Sequence, residues 1–368
     1  MPDFRYAHAA SADWQEASRS CLAQLGQGPA TLGFLYLTDV LAEHAADILA
    51  ALKKASGIQH WVGTVGIGVC ATAREYLDEP AMVVMAADFE PGSFRVFSGV
   101  ASGTDVDNVA LKCGNAPANF AIVHADPQNG RLTELVTKLA GKMESGFLVG
   151  GLTSSRRQNL QFADGVIEGG LSGVSFSDGV TIATRLTQGC SPLGSKHTIT
   201  GCQQNVIITL DGRPALDVFR EDIGEALGRD LNRIGGHVFA GLPIAGSDTG
   251  DYLVRNLVGI DPANKLIAIG DMVQQNTNVL FCRRDAKTAQ EDMTRMLKSI
   301  KQGMFTKPRG GVYYSCIGRG ASLFGPDSEE LKSIREALGE FPLVGFFCNG
   351  EISHNRLYGY TGVLTLFM

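Results

Sequence analysis

Arg319 lies in the stretch CIGRG, residues 316–320, and Glu351 in CNGEI, residues 348–352. Each follows an apolar run and is flanked by glycine. A guanidinium presents a planar fork of donors that matches a carboxylate, and a carboxylate can hold an ammonium. Side by side, the two could read a zwitterion such as an amino acid. A structural Arg–Glu salt bridge between neighbouring turns would use the same residues equally well. Cys316 adds a thiol beside the arginine and the backbone N–H groups of a glycine-rich turn, which would favour a thiolate. A buried structural cysteine is the commoner fate of such a residue, and no G-x-S-x-G elbow or recognisable catalytic histidine pattern accompanies it.

Two other chemistries fit less well. Cys348, Glu351 and His354 are spaced by three, and Cys316 could join them, but Gly350 breaks any single helical face and no second Cys/His pair has metal-ligand spacing. Gly63, Gly66 and Gly68 reverse the dinucleotide fingerprint, and the glycine-rich run from Cys316 to Gly325 lacks the Gly-Lys-Ser/Thr end of a phosphate loop. No metal and no cofactor are therefore expected. The turns QGCSPLG, residues 188–194, and LDGRPAL, residues 210–216, carry Gln188, Gly189, Cys190 and Arg213, and turn chemistry alone accounts for them.

The elements that would position Arg319 and Glu351 occur three times. An apolar strand begins at Leu32, Phe120 and Val312, and a strand reaching Val-Gly follows at Val62, Val149 and Val344, which is 30, 29 and 32 residues on. Between them lie helical repeats: Leu41, Ala45, Ile48, Leu49 and Leu52; Leu132, Leu135, Val136, Leu139 and Met143; Leu331, Ile334 and Leu338. Asp327 and Glu330 have capping-box spacing and Gly339 is placed as a helix stop. Each segment has the length of a βαβ unit, so its two strands should run parallel, and ligands often sit at the carboxyl end of such strands. Arg319 and Glu351 would then emerge at one sheet edge, with the turn 188–194 lining the same cleft.

After these units the pattern changes from helical periodicity to hairpins. Residues 81–100 read as two strands around Pro91-Gly92, and residues 170–186 as two around Asp178-Gly179. Residues 265–285 read as a strand pair leading into a helix from Ala286 to Lys301. The expected fold class is mixed α/β: layered domains with mixed parallel and antiparallel sheets flanked by helices, built on repeated βαβ units.

Composition bounds the rest. The chain has 368 residues, 44% hydrophobic and 19% charged, which suits a soluble globular protein with two domains. A net charge of −6 without a basic cluster argues against a nucleic-acid partner. No signal peptide or membrane-spanning run is apparent, so a cytoplasmic protein with eight reduced cysteines is expected.

The segments GGLTSS, GLSGVSFSDGVTIATRLTQGCSPLG, NVIITLDGRPALDVF, YLVRNLVGID, CIGRGASLFG and PLVGFFCNGEI resemble, in order and spacing, the FIST family. The resemblance covers nearly the whole chain and implies an N-terminal FIST-type domain over residues 1–212 and a C-terminal one over 213–368. It implies a sensory module that binds a small ligand, with amino acids proposed, and no established catalytic set. Its motif positions fall on Gln188, Gly189, Pro192, Asp211, Gly212, Arg213, Pro214, Arg255, Gly318, Arg319, Gly320, Gly350 and Glu351. Of these, Gln188, Gly189, Arg213, Arg255, Arg319, Gly350 and Glu351, together with Cys190 and Cys316, are the candidate ligand-binding residues. Some relatives carry an output module, for which this chain has no length left over, so a protein signalling partner is expected. An enzyme using Cys316 or Glu351 beside Arg319, and a scaffold without a small-molecule ligand, are the alternatives.

Overall fold

The computed structural model describes residues 4–228, 234–244 and 252–368. The chain forms two compact units. One comprises residues up to Gln188 together with Glu291–Met368; the other is Gly189–Gln290. This division by compactness runs differently from a cut along the chain into 1–212 and 213–368.

In the larger unit all three expected parallel pairs are present. Leu32–Thr38 pairs with His60–Gly66, Phe120–Ala125 with Phe147–Leu152, and Gly310–Cys316 with Leu343–Cys348. The helices Ala45–Ser56, Leu132–Ala140 and Glu329–Leu338 make the crossovers. The second strands do not stop at Val-Gly but continue beyond it. Gly63, Gly150 and Gly345 each face the backbone of the parallel neighbour, opposite Leu35, Val123 and Tyr313. A Cβ on them would lie 1.8, 1.8 and 1.7 Å from the respective carbonyl oxygens. Close backbone approach in mid-strand explains why the chain repeats this dipeptide.

The repetition extends beyond the βαβ units. Each first strand also pairs antiparallel with a return strand from its own repeat: Ala81–Ala87, Leu171–Phe176 and Thr361–Phe367. Each return strand pairs in turn with the strand that opens its repeat: Arg5–Ala10, Phe94–Val100 and Ile182–Gln188. The segments around Pro91-Gly92 and Asp178-Gly179 are therefore not hairpins. In both, the strand before the turn belongs to one sheet and the strand after it to another. The turn residues reverse the chain, but the neighbouring strands find their partners elsewhere.

The second strand of each βαβ unit is covered by a short hairpin from a different repeat. Gly68–Ala71 with Arg74–Leu77 adds to Leu343–Cys348. Gln161–Ala163 with Val166–Ile167 adds to His60–Gly66. Glu351–His354 with Arg356–Tyr358 adds to Phe147–Leu152. Three six-stranded sheets of one topology result, each completed by a neighbour.

Strand alternation then sorts the core. Phe34, Tyr36, Ile122, Tyr314, Val344 and Phe346 point inward into one cluster shared by the three sheets. Leu35, Leu37 and Trp61 point outward beneath helices in the first repeat, as Ala121, Val123 and Leu148 do in the second. At the centre, one residue from the same position of each first strand meets the others. Tyr36 Oη lies 3.0 Å from Tyr314 Oη and 3.3 Å from His124 Nε2.

In the smaller unit, His197–Gln203, Val206–Leu210, Leu266–Ile269, Tyr252–Asp261, Val238–Pro243 and Asn278–Arg284 pair antiparallel in succession, and the last pairs back to the first. The expected pair in residues 265–285 does not form: Leu266–Ile269 and Asn278–Arg284 sit at separate places in this ring. The helix Ala215–Gly228, interrupted at Gly224 with φ 73°, supplies Phe219 to the core, 4.6 Å between ring centroids from Phe281.

The glycine geometry sets a stability test. Gly63→Ala, Gly150→Ala and Gly345→Ala should each cost about 3 kcal/mol or more, because the obstructing atom is backbone and cannot move aside. Gly165→Ala, where an added Cβ meets nothing within 4 Å, is the control. Denaturant midpoints for the four variants check the expectation.

Candidate functional site

The carboxyl ends of the third parallel pair hold a buried polar cluster. Beyond Gly310–Cys316 the chain turns through Ile317-Gly318-Arg319-Gly320, and Gly320 takes φ 57°. That positive φ suits glycine, and a Cβ there would press within 2.9 Å of the Phe347 ring. The turn folds Arg319 inward until 1% of it is exposed. Its guanidinium lies over the Phe324 ring, 4.8 Å from the centroid, and Nε donates to Glu330 Oε1 at 2.7 Å.

Glu330 is the residue that the capping-box reading misplaced. Asp327 and Ser328 adopt left-handed φ of 66° and 64°, and no side-chain cap forms at this helix start. The Ser328 hydroxyl instead accepts from the Glu75 backbone N–H at 2.9 Å. Glu330 turns into the interior, where it accepts from Tyr313 Oη at 2.6 Å, from Ser315 Oγ and from the Gly320 N–H at 2.9 Å. A signal was present in the sequence: Glu330 precedes Ile334 and Leu338 by four and eight residues, on the apolar stripe itself.

Glu351 opens the hairpin that follows the second parallel strand and is fully buried. Its Oε2 accepts from Thr361 Oγ1 at 2.7 Å and from the Thr361 N–H at 3.1 Å. Burial pushes its carboxyl up to about 8, and the Cys316 thiol stands against it. Glu75, carried in by the hairpin of the first repeat, is also pushed up to about 8 by burial and by the nearby Glu330. The cluster thus holds one ion pair, Arg319 with Glu330, beside two carboxyls raised by burial.

Hydrogen bonding in the cluster is incomplete. Both terminal nitrogens of Arg319, Oε1 of Glu351 and Oε1 of Glu75 are buried without a hydrogen bond of ordinary geometry. The expected Arg319–Glu351 pairing is corrected in its geometry: the residues share one end of the sheet, but the direct ion-pair partner of Arg319 is Glu330. Cys316 is buried, and desolvation followed by the charge of Glu351 pushes its thiol far up, the opposite of an activated thiolate.

The remaining candidates divide between the units. Gln188 belongs with the cluster's unit; it pairs in register with Thr361, the donor to Glu351. Gly350 links the second and third repeats, its carbonyl accepting from the Leu152 N–H at 2.8 Å. Gly189, Cys190, Arg213 and Arg255 lie in the smaller unit. There the carbonyl of Cys190 accepts from Tyr252 Oη at 2.7 Å, and Arg255 Nε donates to Asp271 at 2.7 Å. Arg213 forks onto Glu221 through both terminal nitrogens.

The two raised carboxyls carry a sign. Their folded values lie above the ordinary 4.5, so between about 4.5 and 8 the folded state binds more protons than the unfolded state. Stability from these groups must fall as pH rises through that window. Glu351→Gln keeps an acceptor for Thr361 and has no proton to lose. The variant should therefore gain on the wild type between pH 5 and pH 8, as read from denaturant midpoints across pH. A difference that is flat with pH would contradict the assignment.

Comparison with known proteins places the whole chain. The FIST N domain matches residues 31–213 and the FIST C domain matches residues 215–354. The uncharacterized protein Rv0628c of Mycobacterium tuberculosis is 30% identical over 382 residues, covering 100% of this chain and 97% of that protein. The uncharacterized protein Mb0898c of Mycobacterium bovis is 28% identical over 356 residues, covering 93% and 92%. With both domains matched in order across most of its length, the chain belongs to the FIST family.

Proposed function

We propose that this FIST-family protein binds a small polar ligand bearing a carboxylate, an amino acid or related metabolite, and acts in sensing. The observation that carries the reading is the fully buried Arg319, whose two terminal nitrogens make no hydrogen bond of ordinary geometry, and the same holds for the nearby Oε1 atoms of Glu351 and Glu75. Such groups cost roughly 1–3 kcal/mol each when buried unmade, and more when charged. A carboxylate would accept from both guanidinium nitrogens at once. An ammonium beside Glu351 would draw the proton off its carboxyl, so a zwitterion would bind with proton release. Entry requires the structure around Arg319 to open, because its side chain is fully buried. In this reading sensing occurs in the cytoplasm and the response passes to a protein partner. No helix among the described residues is long and apolar enough to cross a membrane.

The enzyme reading finds less support, since the Cys316 thiol is held protonated by burial.

A thermal-shift screen of amino acids and small carboxylic acids, followed by calorimetry on Arg319→Lys and Glu351→Gln, tests the proposal. Lysine can keep the Glu330 ion pair while losing the second pair of donors. We expect a ligand to bind the wild type and to lose affinity at least tenfold in folded Arg319→Lys. For an amino-acid ligand, the binding enthalpy should change with the ionisation enthalpy of the buffer, and Glu351→Gln should remove that dependence. Unchanged affinity in folded Arg319→Lys would refute the anchor role.

A further inference from the structure

The smaller unit holds a cavity of about 620 Å³, unrelated to the Arg319 cluster. Leu242, Pro243 and Ile244 at the end of one strand, together with Met272 and Val273, give it an apolar side. Gln274, Asn276, Thr277 and Asn278 give it a side of amides and a hydroxyl, and Lys196 lines it as well. Its volume lies within the range of small-molecule sites, which combine apolar walls with a few convergent polar groups.

The loop that supplies the amides is pinned in place. The Val273 N–H donates to the Gln204 carbonyl at 2.9 Å and the Asn276 N–H to the Ile199 carbonyl at 2.8 Å. Thr277 Oγ1 donates to the Gln274 carbonyl at 2.6 Å, and Asn276 takes φ 66°. The polar side is thus largely preformed, which lowers the ordering cost of binding.

Charge selects the ligand. Lys196 is the one ionisable residue among the described lining residues. It forms no ion pair within the described residues, and the nearby Asp271 is already engaged by Arg255 at 2.7 Å. One ammonium, several side-chain amides and an apolar wall fit a molecule with a single negative head and a hydrocarbon body. We propose that this cavity is a second ligand site, which takes an organic monoanion with an apolar body, its head on Lys196 and the amides and its body against Leu242, Ile244 and Val273.

Calorimetry with octanoate and octylammonium on the full chain tests this. The wild type should bind octanoate saturably, one per chain, and octylammonium at least tenfold more weakly. Lys196→Gln should weaken octanoate about tenfold, as expected for loss of a charge-assisted hydrogen bond. Lys196→Glu should reverse the preference between the two probes. Lys196 is exposed, so both variants should keep the wild-type melting temperature. Arg319→Lys should bind octanoate as the wild type does, so this site and the proposed Arg319 site can fail separately. Equal binding of the two probes, octanoate affinity unchanged in Lys196→Glu, or no octanoate binding to the wild type up to millimolar concentration would each overturn the proposal.

Discussion

No repeat in the larger unit closes its own sheet. After the second parallel strand the chain leaves the sheet, and a bare edge of N–H and C=O groups remains. The hairpin that covers this edge comes from another repeat each time: the first covers the third, the second covers the first, and the third covers the second. This exchange ties the three sheets into one body. It fits a shared inner core, to which each repeat contributes alternate side chains of its strands, with Tyr36, His124 and Tyr314 meeting at the middle. Desolvation keeps His124 neutral there, lowering it to about 3, so the contact joins three uncharged groups.

The candidate site arises where the three repeats stop being alike. The residue just past the tight glycine pairs with Val69, Gln161 or Glu351 of the incoming hairpin. Gln161 bonds to the Gly170 carbonyl and accepts from Ser172, securing the head of its return strand. Glu351 does the same for Thr361 with a carboxylate. A structural position thereby acquires an ionisable group, and the foreign hairpin sets Glu75 beside the same ion pair. The chemistry is concentrated in the third repeat because only there do a Gly-Arg-Gly turn, an inward Glu330 and these two acids coincide.

What could be read from the sequence was what is local. The parallel pairs were legible because strand, helix and strand follow one another within some thirty residues and keep their periods. The sheet partners of residues 81–100 and 170–186 were not, because Pro91-Gly92 and Asp178-Gly179 specify that the chain turns and not which edge it joins. Arg319 and Glu351 could be placed after neighbouring strands of one local unit, while Glu75 was invisible: its hairpin joins the third repeat through Val69–Ala71, which pair with Val344–Phe346 about 270 residues on. The break at Gln188-Gly189 carries no change in composition, and the family's own boundary between residues 213 and 215 falls inside the smaller unit.

The exchanged hairpins also order events during synthesis. The first sheet can be completed once the second repeat has emerged, since its missing edge is Gln161–Ala163. The second sheet waits for Glu351–His354, near the end of the chain, and the hairpin at Gly68–Leu77 has no strand to join until Leu343–Cys348 is made. The larger unit therefore cannot lock until its third repeat has been made. Until then unsatisfied strand edges of the first two repeats travel with the nascent chain, which makes the interval before the third repeat emerges the one in which chaperone protection matters most.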